Sequence, residues 1–223
     1  VVIRKGEAWE RPAAGPPALT VRGGDADLAD AVTGHDGIRV ALEPTPDADL
    51  ARTLGVAAGG AADAPVHDLL VDALRVQCDD MSEHFGVNLL TVGTAPDRLS
   101  WRAPRRAVTV IVDGRVVHDG PAAGVVVANG QYLRGADVVP RGHPGDGRIE
   151  VQVYAPARRE SDAVRRRVRV GDHLPHPGIR QAGGTAVEIH APSGLPWELD
   201  GRAHTAARRF VVAVAPAQFV VVV

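Results

Sequence analysis

The sequence predicts an α/β plus β chain: a reduced α/β unit over residues 1–58, followed by a larger β-rich sandwich domain over 59–223. Three observations carry this reading. Helical spacing is concentrated before residue 56, in "DADLADAV" and "PDADLARTL". After residue 66, short apolar runs alternate with turn residues, as sandwich strands do. Aromatic residues make up only 4% of the chain against 45% hydrophobic overall, so the core must be built from Val, Ala and Leu, and Val-rich runs favour strands.

Taken in order, "RPAAGPPAL" at 11–19 is an irregular lead-in. Leu28 and Val32 lie one helical turn apart behind acids that suit a helix start, which predicts a short helix from Asp25. "IRVAL" at 38–42 is a buried strand, and a second helix runs from about Asp47 to Leu54, closed by Gly55. "AAGGAADAP" at 57–65 has a linker's composition and marks the boundary. Strands then follow in "HDLLVDALRV", "GVNLLTVG", "RAVTVIVDGRVVHDG", "AAGVVVANG", "GRIEVQVYAP", "GTAVEIHAP" and "RRFVVAVAP", with Asp113-Gly114 as a hairpin turn. Ser161, Val164, Val168 and Gly171 predict one helix among the strands. The apolar stretch at 210–223 is shorter than the roughly 20 residues of a membrane helix, and Pro216 divides it into two expected strands.

Bulk chemistry narrows the function. The formal charge of −2 argues against nucleic acid as a partner, which would call for a basic footprint. A single cysteine, Cys78, excludes an internal disulfide or a cysteine zinc cluster. With polar, charged residues 4–12 giving no sign of a signal peptide, a cytoplasmic location is expected. Ser100, Ser193 and Cys78 have no accompanying His/Asp pattern of a nucleophile, His67, His84 and His118 show no metal spacing, and His173 and His176 around Pro175 are either metal ligands or loop residues covering the sheet.

One run of landmarks is more specific than any of these. Asn129-Gly130, Gly135, Pro140, Asp146-Gly147 and Asp200-Gly201 follow one another in an order that resembles the C-terminal domain of the diacylglycerol kinase and bacterial lipid kinase family. The family's glycine loop, GGDGT followed by a helix with Glu, is matched by "GGDAD" at 23–27 and Asp30. Its Asn-Asp-Phe-Ala-Arg motif is matched by Ala48, Asp49, Leu50, Ala51 and Arg52. The resemblance spans about residue 20 onward, and makes the first unit nucleotide-binding-like, with the family's opening strand–helix units missing or reduced.

The resemblance implies ATP and Mg²⁺ as cofactors and a lipid hydroxyl as phosphoryl acceptor. It makes Asp25 and Asp200 the candidate catalytic residues, and Gly23, Gly24, Asp25, Thr45, Asp49 and Gly201 the candidates for holding the cofactor. Asp146 is the candidate metal ligand, with a plain β-turn at Asp146-Gly147 as the alternative. Three departures fall on the ATP motifs: Ala26 and Asp27 replace Gly and Thr, Ala48 replaces Asn, and Arg202 replaces the Glu of Asp-Gly-Glu. An extra carboxylate repels a polyphosphate, and arginine neither binds Mg²⁺ nor accepts a proton. The implied function is thus a lipid kinase-like protein with weakened or lost phosphoryl transfer, or a non-catalytic relative binding a lipid, another small molecule or a protein. The run "RRESDAVRRRVRV" offers either peripheral contact with anionic lipid or a solvated helix face, and Val-rich strand edges allow a homodimer.

Overall fold

The structure is a computed structural model that describes residues 10–56, 67–79 and 81–223. The expected linker and the 58/59 boundary lie outside the described residues. The first unit comprises strand β1 (Glu10–Pro12), β2 (Leu19–Gly23), helix α1 (Asp25–Val32), β3 (Ile38–Pro44) and α2 (Asp49–Thr53). Next come β4 (His67–Cys78), β5 (Glu83–Gly86), β6 (Leu89–Gly93), β7 (Arg106–Val112), β8 (Arg115–Ala122), β9 (Gly124–Ala128), β10 (Tyr132–Leu133) and β11 (Ala136–Asp137). The chain continues with β12 (Ile149–Tyr154), α3 (Ser161–Val168), β13 (Ile179–Gly184), β14 (Ala186–Leu199) and β15 (Arg202–Val222).

The two long strands organise the molecule. β14 and β15 form an antiparallel hairpin in which Leu199 faces Arg202 across Asp200-Gly201, with φ of +49° and +82°. Two consecutive positive φ values match the twist of the flanking strands, and Asp-Gly meets that demand with little strain. Asp113-Gly114 makes the same kind of turn between β7 and β8. β15 pairs with β4 along most of its length, and near its end Phe219–Val221 also pair in parallel with Ile38–Val40 of β3. One strand therefore completes both the β-rich part and the small α/β unit.

Pro216 does not split the terminal apolar stretch. β15 runs through it as one strand, with a register shift against β4 between Ala215 and Phe219. A bulge accommodates the missing proline N–H without ending the ladder. At that bulge Ala217 has a φ of +49° and donates its N–H to the buried Asp72 at 2.7 Å. α2 also begins two residues later than expected, because Ala48 occupies the cap position.

Among the described residues three apolar clusters hold the layers. Val and Ile residues of β4, β6, β7, β9, β12, β14 and β15 fill the sandwich, joined by Trp197 and Phe210. A second cluster sits beneath α3, around Tyr154, Val164 and Val168. The third packs α1 and α2 through Leu28, Val32 and Leu50 onto Val71, Phe219 and Val221. This last cluster fixes the glycine loop against the β-rich part.

Candidate functional site

The cleft forms where α1 begins beside the β14–β15 turn. Its lining includes Gly24, Asp25, Ala26, Asp27, Asp47, Asp49, Asn88, Arg98, Arg134, Asp200 and Gly201, around a cavity of about 300 Å³. Asp25 and Asp200, expected to act together, thus face one crevice. Gly24, Asp49 and Gly201 join them. Gly23 lies behind the cleft wall. Thr45 faces a separate hollow beside Pro46 and Arg52, and its hydroxyl donates to Asp47 at 2.6 Å. Asp146 does not line the cleft; its carboxylate accepts the Arg148 N–H at 3.0 Å, as in a turn.

Each carboxylate is held by identifiable donors. Asp25, 6% exposed, accepts from the Leu50 N–H at 2.9 Å and from Asn88 Nδ2 at 2.6 Å. Burial, with the Asp200 charge second, pushes its carboxyl up to about 8. Asp200 gathers three main-chain N–H groups, from Val87 at 2.6 Å and from Asn88 and Leu89 at 2.9 Å each. Burial still raises it to about 6. Asp49 accepts the N–H groups of Arg134 and Gly135, whose turn between β10 and β11 has φ of +50° and +76°. Its carboxyl is likewise raised by burial.

The glycine pair is occupied by the protein's own acids. Asp27 Oδ2 accepts the Gly24 N–H at 2.9 Å, closing the first turn of α1. A Cβ on Gly23 would collide with that carboxylate, and one on Gly24 would lie 2.9 Å from Asp47 Oδ2. The small side chains therefore make room for carboxylates. The cleft's arginines are also engaged: Arg134 with Asp97 at 2.8 Å and with Glu198, and Arg98 with Glu198 at 3.4 Å. Arg202, the departure from Asp-Gly-Glu, forms a two-pronged pair with Asp30, the residue in the family's helix-Glu position, at 3.0 and 2.8 Å.

These residues do not fit a polyphosphate as they stand. The loop amide is capped, and the acids outnumber arginines that are themselves paired. Oxygen donors at the cleft mouth suit a hard cation. Yet among the described residues no three His, Cys, Asp or Glu side chains gather closely enough to hold a metal.

Behind α1 lies a larger cavity of about 480 Å³, sharing Ala26 and Asp200 with the cleft and lined by Arg75, His84, Phe85 and His204. His204 stacks on Trp197 at 3.8 Å, and burial lowers its proton affinity. His173 is buried beside Tyr154 and Gln152, a structural setting.

The chain matches the family model described as "YegS C-terminal NAD kinase beta sandwich-like domain" over residues 71–223, more than half its length. The chain belongs to this family. It is thereby related to the diacylglycerol and lipid kinases, and its sandwich is the lipid-kinase one. Among solved structures it resembles "A putative diacylglycerol kinase from Bacillus anthracis str. Sterne", at 17% identity and a TM-score of 0.72, over 92% of this chain and 77% of that one. A second structure of a diacylglycerol kinase from the same organism gives 17% identity and 0.69, over 92% and 75%. At such identity these likenesses show the fold. No curated protein matches.

Sequence reasoning missed Asn88 and Arg134. Arg134-Gly135 carried a faint signal, a bulky residue before glycine where a tight turn is needed. Nothing in "GVNLL" set Asn88 apart.

Proposed function

We propose that this protein is a lipid kinase-family member in which ATP-dependent phosphoryl transfer to a lipid hydroxyl is weakened or lost, and which acts chiefly by binding lipid. The carrying observation is the Asp27 carboxylate on the Gly24 N–H. An amide that would face a phosphate instead holds a fixed negative charge, and Asp47 stands beside it.

The acceptor end of the cleft is better preserved. Asp25 and Asp200 still face each other across a crevice, so a hydroxyl entering it meets a buried carboxylate. The Asp25 carboxyl, raised to about 8, is a proton donor near neutral pH and a proton acceptor above it. Phosphoryl transfer would need phosphates held in line with that hydroxyl, mainly by positioning and charge stabilisation. The acids at the glycine loop oppose this.

A lipid-facing surface supports the binding role. Arg166, Arg167 and Arg169 are exposed on and just after α3, followed by exposed Val170. Trp101 is also exposed; it lies under the Arg102 guanidinium at 4.6 Å and its carbonyl accepts from Arg158, three residues before α3, at 2.9 Å. Arginines with an apolar side chain among them suit the headgroup region of an anionic membrane. Among the described residues no helix is long and apolar enough to span a bilayer.

Thermal melts with 1 mM Mg-ATP, and separately sedimentation with anionic vesicles containing diacylglycerol, test the proposal. A ligand at 100 times its Kd stabilises the folded form by about 2.7 kcal/mol, a rise of roughly 5–10 °C in a chain of this size. The expected result is little or no shift with nucleotide and sedimentation with the vesicles. A rise of several degrees with Mg-ATP overturns the weakened-site reading.

A further inference from the structure

We propose that Asn88 is a positioning residue that holds Asp25 and Asp200 in a fixed relation and keeps Asp25 available as a hydrogen-bond acceptor. This rests on the reading that the two acids face a ligand cleft, and it assigns a role to a residue outside the motifs named above.

Asn88 is 2% exposed and lies between β5 and β6, between the two carboxylates. Its side-chain Nδ2 donates to Asp25 Oδ2 at 2.6 Å and to the Tyr132 carbonyl at 3.1 Å. Its main-chain N–H donates to Asp200 Oδ1 at 2.9 Å. Its carbonyl accepts the N–H groups of Asn129 at 2.8 Å and Gly130 at 3.1 Å. One residue therefore reaches Asp25 through its side chain and Asp200 through its main-chain N–H, while its carbonyl ties it to the turn after β9.

The orientation of the amide is determined by its neighbours. Both acceptors of Nδ2, a carboxylate and a carbonyl, would repel the amide oxygen if the group were turned over. That oxygen, Oδ1, is instead buried against Gly130 with no hydrogen-bond partner, and a Cβ at Gly130 would collide with it. A buried acceptor without a partner is costly. The side chain accepts this cost while presenting its donor to Asp25. Such a donor stabilises the ionised carboxylate. It opposes burial and the neighbouring acids Asp200 and Asp49, while Asp27, Asp47, Arg98 and Arg134 line the same cleft.

The test is a carbon-detected NMR titration of side-chain carboxyls without any nucleotide, with Asp25 assigned from Asp25→Asn. Asn88→Asp keeps the shape of the side chain but replaces the donor by an acceptor, and Asn88→Ala removes it. In both, the Asp25 midpoint should rise by about one pH unit, a tenfold weaker acid. The Asp200 midpoint should rise less, since its donor is the main chain. In the unsubstituted protein the Asn88 Nδ2 protons should shift with the Asp25 midpoint, a readout that does not depend on either variant folding. An Asp25 midpoint unmoved in folded Asn88→Asp, or Nδ2 protons indifferent to Asp25, overturns the proposal. Failure to bind nucleotide or lipid bears only on the functional reading above, because this titration is read on the protein alone.

Discussion

If the acids at the glycine loop keep phosphate out, replacing Asp27 should improve nucleotide binding. The carboxylate sits on the Gly24 amide, where an anionic ligand would be received. Two unit charges at about 4 Å repel by ~1 kcal/mol in water and by about 4 kcal/mol at the effective dielectric of a partly desolvated site. Taking a middle value of roughly 2 kcal/mol, loss of one such charge corresponds to an affinity gain of about thirtyfold. Asp27→Asn removes the charge and keeps an acceptor for the Gly24 N–H, whereas Asp27→Thr also frees that amide. Thr should cost about 1 kcal/mol of stability through the lost cap, a drop of roughly 2–4 °C in melting temperature. Isothermal titration with Mg-ADP and Mg-ATP at low salt reads the gain directly. The expected order of affinity is Thr above Asn above the unsubstituted protein. Equal affinities in all three would refute the argument, because the carboxylate would then not be what excludes phosphate.

Three further outcomes are expected. Asp25, Asp72 and Asp200 are raised from an ordinary 3.8 to about 8, 6 and 6, so the folded form binds more protons than the unfolded chain. Their stabilising contribution is full below about pH 4 and is lost as pH rises through 6 and then 8. Melting temperature should fall from pH 5 to about 8 and then level, and Asp25→Asn should flatten the fall between about pH 6 and 8, where Asp72 and Asp200 are already ionised. Arg166→Glu with Arg167→Glu should weaken sedimentation with anionic vesicles by at least about 2 kcal/mol, or thirtyfold, and binding should weaken with salt; unchanged sedimentation would remove the arginine face as the contact. Asn129→Ala should destabilise the fold by about 2 kcal/mol in a urea melt, because the Asp72 and Val87 carbonyls both lose the Nδ2 donor that reaches them at 2.8 Å.

What was legible in the sequence followed local rules. α1 is found at Asp25–Val32, where the Leu28 and Val32 spacing put it, and the expected Asp113-Gly114 hairpin has the positive φ values that this dipeptide supplies. Of the expected site, Asp25, Gly24, Asp49, Asp200 and Gly201 meet in one cleft because the glycine loop and the β14–β15 turn were recognisable as separate pieces. Non-local geometry was less legible. Pro216 looked like a strand break because a bulge anchored by Asp72, far away in sequence, cannot be seen in the local pattern. Asn88 gave no signal because its importance comes from partners 63 and 112 positions away. The bidentate pair of Arg202 with Asp30 spans 172 positions and joins two motifs that lie far apart along the chain.

The double duty of β15 has a consequence for biogenesis. Among the described residues β3 pairs with β2 and with Phe219–Val221, and the fully buried Phe219 belongs to the cluster packed under α1. During synthesis the segment bearing the glycine loop emerges early but cannot complete its sheet until these late residues leave the ribosome. Such distant pairing is entropically slow to close. The crevice between Asp25 and Asp200 thus waits on β15, which ties its assembly to a strand made some 180 residues after β3.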